Sequence, residues 1–183
     1  MINGIDYLKK MYPNRDEKDY QPSGLDLRAG RVFEIDYSVP AGLFNGQKKV
    51  PRHIELVPQK VFEYDAEECW VLEPHIPYIV EVDKQIQIGE KNAQFYLPRS
   101  TLLRSGVTVS TALGDLGYNG HLSFLVINHR HNVFILQKGE RFAQLVDFEV
   151  KGGSELYNGD YQEKVVIADD DIWATPQTNC SGE

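Results

Sequence analysis

The chain has 183 residues, enough for one domain with a sizeable core. Acidic residues outnumber basic ones 27 to 19, a formal net charge of −8, so broad binding to a nucleic-acid backbone is not expected. Hydrophobic residues make up 42% and aromatic ones 11%, a globular composition, and runs such as Phe124–Ile127 fall far short of the ~20 apolar residues of a membrane span.

Residues 1–20 are polar and charged, with Ile5, Leu8 and Met11 spaced for one face of a short helix. They contain no apolar h-region, so no secretory signal is read here and a cytoplasmic protein is expected. From Leu25 the pattern turns to strands, with β-branched and aromatic residues in Val32–Tyr37. Residues 41–51, with Gly42, Gly46, Lys48 and Lys49, read as a polar loop or hairpin. In Tyr78–Asp83, Val80 and Val82 alternate with Glu81 and Asp83. Further strands are expected at Val107–Ser110, His121–Asn128, Val133–Gln137 and Phe142–Val150, with Gly, Pro and Asn between them. Eight or more short strands and no long amphipathic helix predict an all-β barrel or jelly-roll-like sandwich with one or two short helices. The expected organisation is a polar N-terminal segment (1–20), a β domain (21–150) and an acidic C-terminal tail (151–183) carrying Asp169–Asp171.

Four segments carry candidate chemistry. In Pro22–Ala29, Asp26 lies between two leucines; by itself it also suits a turn, accepting backbone N–H groups. In Leu97–Gly106, a proline is followed by Arg99, Ser100 and Thr101, where a guanidinium fork, hydroxyls and free N–H groups suit a phosphate. The same residues also suit a capped helix with an ion-paired arginine. In Ser110–His121, small residues let the backbone approach a ligand; Asp115 is a candidate general base and Tyr118 a candidate floor under a sugar. A plain hairpin with a turn Asp and a packed Tyr explains the same residues. In Gln137–Leu145, a turn runs into a strand with Arg141 and Gln144 as candidate polar contacts, or as solvated side chains.

Other residues are read as structural. Cys69 and Cys180 are far apart and read as free thiols in a reducing compartment. His121, His129 and His131 have no carboxylate or cysteine at ligand spacing and read as surface histidines. Trp70 and Trp173 read as packing residues. The chain has no phosphate-binding GxxxxGK[ST] loop, GxSxG or HExxH, and with no PCxxC it lacks the combined HxE…PCxxC pattern of zinc-dependent base deaminases.

The order and spacing of the four segments resemble the dUTPase and dCTP deaminase superfamily. PSGLDLRA is similar to its first motif, LPRSTLLRSG to its second, STALGDLGYNGHL to its third and KGERFAQLVDFEV to its fourth. The resemblance runs from about Gln21 to Gln162 and is strongest to the archaeal-type dUTPases. It implies a distorted jelly-roll fold and a homotrimer with active sites at subunit interfaces. It also implies hydrolysis of dUTP to dUMP and pyrophosphate with Mg²⁺ on the triphosphate.

By motif, Asp115 would orient or deprotonate the attacking water and contact the 3′-hydroxyl, and Tyr118 would exclude a ribose 2′-hydroxyl. Arg99, Ser100 and Thr101 would bind phosphate oxygens, with Arg104 of the same motif among the substrate-binding residues. Asp26 would lie near the metal through water, and Gln144 would support the phosphate-binding strand. The backbone at Thr111 and Ala112 would read the uracil edge. Tyr157–Gln162 resembles a segment of the deaminase branch that holds the triphosphate, which makes Tyr157 and Gln162 substrate-binding candidates.

The sister activity, dCTP deamination, needs a glutamate in the strand after the third motif. Leu125 stands there, and His121–Asn128 contains no carboxylate, so dUTP hydrolysis is favoured over deamination or a bifunctional enzyme. A non-catalytic nucleotide-binding regulator on the same fold is the remaining alternative. The chain also departs from the family. It lacks the glycine-rich closing motif of ordinary trimeric dUTPases, Asp160 replaces an expected lysine, and Gly114 stands where archaeal-type sequences often carry a bulky aromatic.

Overall fold

The computed structural model describes residues 1–38, 40–44, 47–49, 51–61, 66–152, 155–159 and 162. The elements begin with α1 (Ile5–Met11), a 3-10 turn (Glu17–Asp19), β1 (Tyr20–Gln21) and β2 (Gly24–Ile35). Short strands follow: β3 (Gly42–Phe44), β4 (Gln47–Lys49), β5 (His53–Glu55), β6 (Gln59–Val61) and β7 (Ala66–Leu72). Next come β8 (Pro77–Val82), β9 (Ile86–Gln87), β10 (Asn92–Pro98), α2 (Ser100–Arg104) and β11 (Val107–Ser110). The last are β12 (Asn119–Gly120), β13 (Ser123–Asn128), β14 (Phe134–Gln137) and β15 (Arg141–Glu149).

The jelly-roll-like all-β expectation holds. The main sheet has the order β10-β15-β2-β8-β13-β11, with β1 and β5 also pairing with β2. Three small sheets, β12-β9, β14-β7-β6 and β3-β4, complete the described pairings. β2 organises the sheet because it is long enough to serve two neighbours. Its first half pairs with β15, its second half with β8, and the register shifts between Ala29 and Arg31. Gly30 sits at that shift. A Cβ there would lie 2.6 Å from the Cα of Asp83, so only glycine lets the bulged strand pass its neighbour this closely.

Strand alternation builds the core. On β13, Phe124, Val126 and Asn128 point inward, whereas Ser123, Leu125 and Ile127 are half-buried on the other face. Leu25, Leu27, Val32, Val80, Val82, Phe142 and Leu145 fill the interior. Tyr96, Phe124 and Phe142 pack as successive tilted rings, with centroids 5.1 and 5.9 Å apart.

The polar N-terminal segment is more integrated than its composition suggests. Leu8, Tyr12 and Tyr20 join the same core, and Ile2 bridges to Phe148 beside the end of β15. The alternation expected at Glu81 also differs, because this carboxylate is buried and pairs with Arg31. Trp70 is a packing residue whose indole donates to the Leu56 carbonyl. His129 and His131 are exposed; His121 is half-buried beside Glu81. Trp173, Cys180, Asp160 and the acidic run lie outside the described residues. Among the described residues, no helix is long and apolar enough to cross a membrane.

Candidate active site

The predicted residues gather into two groups at different points along β10. The first surrounds Asp26. It is the third residue of β2, 1% exposed, and its cross-strand partner on β15 is Gln144. The carboxylate does not cap a turn. Its Oδ2 accepts from Arg141 Nη1 at 3.1 Å and lies 3.7 Å from Arg99 Nε, while its Oδ1 accepts from Gln144 Nε2 at 3.3 Å. Asp26, Arg99 and Gln144 are thus brought together from β2, the start of α2 and β15, with Arg141 as a fourth member.

Local chemistry explains this convergence. Pro98 ends β10, and Arg99 takes the N-cap position of α2, with its N–H on the Phe142 carbonyl (3.1 Å). That bond ties the arginine to β15, which also carries Arg141 and Gln144. Burial pushes the Asp26 carboxyl above its usual range, opposed by Arg99, Arg141 and the Gln144 hydrogen bond. Desolvation, with added repulsion from Asp19, therefore outweighs two nearby guanidinium groups, and the ionised carboxylate is held at some expense to the fold. Ser100, Thr101 and Arg104 are exposed on α2 beside this group.

The second group is the loop between β11 and β12. Thr111, Ala112 and Asp115 are exposed. The Thr111 hydroxyl donates to the Tyr96 carbonyl at 2.9 Å, and Gly114 exchanges two backbone hydrogen bonds of 2.9 Å with Gln94. The Asp115 carbonyl then accepts the Tyr118 N–H at 3.2 Å, closing a turn that leaves the Asp115 side chain in solvent. Tyr118 is 8% exposed, and its hydroxyl donates to the His121 carbonyl at 3.1 Å. Burial, with help from Tyr157, pushes its phenol up to about 12.

Tyr157 and Gln162 meet this loop from the C-terminal side. The Tyr157 ring stands edge-on to Tyr118 at 5.6 Å, and its N–H donates to the Leu116 carbonyl at 2.8 Å. The Gln162 amide donates to the Gly117 carbonyl (3.0 Å) and accepts from the Asn119 N–H (3.2 Å). Both residues thus brace the loop that carries Asp115 and Tyr118.

Gln94 and Pro98 are four residues apart on β10, about 13 Å at strand rise. One chain therefore offers a carboxylate-bearing loop and a guanidinium cluster at separated points. Sequence reasoning missed the residues that connect them, Gln94 and Tyr96. They are strand residues within no motif, and only their inward alternation signals them.

The outer face of β13 bears on deamination. Leu125 lies opposite Ile79 on β8 and Ser110 on β11, neither of which carries a carboxyl group. Glu81 is one step along, opposite Ser123, and its Oε1 accepts from Arg31 at 2.8 Å. Metal ligation is limited too: the described residues contain no group of three or more His, Cys, Asp or Glu able to hold an ion.

The model of the dCTP deaminase-like family matches residues 6–150. A probable deoxyuridine 5′-triphosphate nucleotidohydrolase of Methanopyrus kandleri is 40% identical over 162 residues, covering 88% of this chain and 99% of that protein. The deoxyuridine 5′-triphosphate nucleotidohydrolase of Methanocaldococcus jannaschii is 33% identical over 162 residues, 88% of this chain and 99% of that protein. The crystal structure of 2′-deoxycytidine 5′-triphosphate deaminase from Agrobacterium tumefaciens superposes with a TM-score of 0.61 at 17% identity. That match covers 80% of this chain and 47% of the deaminase chain, and it is a likeness of fold alone. The chain belongs to the dCTP deaminase-like family.

Proposed function

We propose that the protein is a dUTP diphosphatase, hydrolysing dUTP to dUMP and pyrophosphate. The observation that carries this reading is identity of 40% to a relative named for that activity, over 99% of that relative's length. The two residue groups fit the chemistry. Phosphoryl transfer needs little covalent help from the protein; it needs a positioned water and stabilised charge. The exposed Asp115 carboxylate serves the water, accepting its proton as oxygen attacks phosphorus and the pyrophosphate oxygen departs. Arg99, with the hydroxyls of Ser100 and Thr101 and with Arg104, takes the phosphate oxygens. Thr111 and Ala112 offer their backbone to the uracil edge, and Tyr118 lies under the deoxyribose.

Magnesium fits as part of the substrate complex. The Asp26 carboxylate already accepts from Arg141 and Gln144, so an outer-sphere contact through water suits it better than direct ligation. Bound on the triphosphate, the ion would offset phosphate charge. Asp26 itself orients Arg99 and Arg141, and Gln144 fixes Asp26. Tyr157 and Gln162 act on the substrate through the loop they brace.

The homotrimer that the resemblance implies would let the loop of one subunit face the guanidinium cluster of the next, and the separation of the two groups along β10 fits a site completed across subunits. Phe95 (55% exposed), Leu97 (51%), Leu103 (68%) and Leu113 (50%) give apolar surface near both groups for such an interface. Residues 21–150 form the β domain of each subunit. The substrate belongs to the nucleotide pool, which places the enzyme in the cytoplasm; neither nucleic acid nor membrane is a partner.

The test is a product assay with dUTP and dCTP in separate tubes, each with Mg²⁺. dUMP and pyrophosphate from dUTP, without ammonia from dCTP, is the expected result. Ammonia from dCTP would revive the deaminase reading despite Leu125. Binding of dUTP without turnover would leave the regulator reading.

A further inference from the structure

The backbone of Asp115 is set by a buried relay centred on Gln94 and Tyr96, which lie in none of the four motifs. Gly114, its preceding residue, gives both its N–H and its C=O to Gln94, each at 2.9 Å. Gln94 is wholly buried, and all its side-chain polar atoms are used. Its Oε1 accepts from the Tyr96 hydroxyl at 3.0 Å, and its Nε2 donates to the Tyr12 hydroxyl at 2.6 Å and to Asp147 Oδ2 at 3.0 Å. Asp147 Oδ1 in turn accepts from Asn92 (2.7 Å) and Asn3 (2.6 Å). Tyr12 closes the far end on the Gln87 carbonyl at 3.0 Å.

Tyr96 holds the loop twice. Its carbonyl accepts the Thr111 hydroxyl, and its own hydroxyl lies directly under Gly114. A Cβ at position 114 would run into that hydroxyl and lie 2.7 Å from Ile88 Cδ1. Gly114 is therefore matched to Tyr96. Burial also pushes the Tyr96 phenol well above its usual range, so it remains a hydrogen-bond donor at any working pH.

We infer that Gln94 and Tyr96 are positioning residues for the proposed hydrolysis: through Gly114 and Thr111 they fix the segment that presents Asp115, and Tyr12 of the N-terminal segment and Asp147 of β15 lock their geometry. The inference rests on Asp115 as the group that serves the water. A satisfied buried network has one low-energy arrangement, so a loop attached to it inherits that precision. An exposed loop attached only to itself would not.

The test compares the wild-type chain with Tyr96→Phe, which keeps the ring and removes the hydroxyl. Leu72→Val, in the core and outside the relay, controls for lost stability. Tyr96→Phe is expected to lower kcat for dUTP roughly 10- to 100-fold with KM within about twofold, because misplacement acts on the reacting geometry. Exchange of the Gly114 amide proton, followed by NMR, is expected to speed up in Tyr96→Phe and to stay unchanged in Leu72→Val. Gly114→Ala should lose less activity in the Tyr96→Phe background than in the wild type, because the obstructing hydroxyl is gone. A kcat loss no larger than that of Leu72→Val, or an unchanged Gly114 amide, would overturn the inference. The exchange measurement needs no turnover, so it reads the relay even if dUTP proves not to be the substrate.

Discussion

Replacing Asp26 by Asn separates what this carboxylate does for the fold from what it does for the substrate. Asp26 faces Arg141 at 3.1 Å and Arg99 at 3.7 Å. At an effective dielectric of about 20, those attractions are each about 4–5 kcal/mol before screening. Both arginines are more than a quarter exposed, which reduces the figures. Against them stands the desolvation of a carboxylate that is 1% exposed, itself several kcal/mol. The carboxyl is shifted upward on balance, so desolvation together with repulsion from Asp19 wins. Asp26→Asn should then keep stability within about 1 kcal/mol, a Tm change of about 2–4 °C for a chain of this size.

The pH dependence has a definite sign. A carboxyl with a raised folded pKa contributes stability below its unfolded pKa of 3.8 and loses it as pH rises through the folded value. The Tm of Asp26→Asn relative to the wild type should therefore climb with pH across the window above 3.8 and then level off. Activity should move the other way. With no charge to orient them, Arg99 and Arg141 hold phosphate poorly, and a lost charge-assisted contact of about 1.5–3 kcal/mol gives kcat/KM lower by about 10- to 100-fold. Scanning calorimetry from pH 4 to 8 and steady-state kinetics check both halves. A Tm drop well beyond 4 °C at neutral pH, or near-normal kcat/KM, would refute the reasoning.

Three further outcomes are expected. Asp115→Asn should lower kcat by about 10²–10⁴ while dUTP binding, measured by calorimetry, survives, because the side chain is exposed and carries no described structural contact; near-normal turnover would remove Asp115 as the base. Tyr118→Ala should relax discrimination against UTP by about 10-fold in competition assays, and unchanged discrimination would sink the role of its ring at the sugar. Chelating Mg²⁺ should abolish turnover and leave the Tm of the nucleotide-free protein unchanged, because the described residues form no metal cage; a falling Tm would reveal a resident structural ion.

The legible parts of the chain are those where chemistry and local pattern coincide. Alternation at Val107–Ser110 and in the His121–Asn128 stretch placed β11 and β13, because each buries one face. Pro98 followed by Arg-Ser-Thr placed α2, since proline ends a strand and the hydroxyl residues suit a first turn. β7 was not legible. Its Glu67 and Glu68 mask the apolar run Cys69–Leu72, and Glu68 adopts a positive φ that breaks strand periodicity. The N-terminal segment was partly legible: Ile5, Leu8 and Met11 mark α1, whereas the core contacts of Tyr12 and Tyr20 fall beyond that helix, where no pattern signals them. Asp26 was visible as an odd carboxylate, but its true partners, Arg99, Arg141 and Gln144, lie more than 70 positions away, a distance no local pattern spans.

The same limit explains why the positioning residues escaped notice while the chemical ones did not. Asp115 declares itself by standing in a glycine-rich turn, where a carboxylate has no packing role. Gln94 has the opposite character. It is an uncharged residue in an ordinary strand, and its importance arises only when β10 passes under Gly114 and the N-terminal segment closes over it. Gly114 links the two kinds of signal. In sequence it stands out only as a glycine at a position where the resemblance implies a bulky aromatic. In the fold that bulk is supplied from β10 by Tyr96, whose hydroxyl occupies the space a side chain at 114 would need. Tyr96 thus fills the space beside Gly114, and its hydroxyl joins the hydrogen-bonded network under the loop. Activity in this chain should consequently depend on the hydroxyls of Tyr96 and Tyr12.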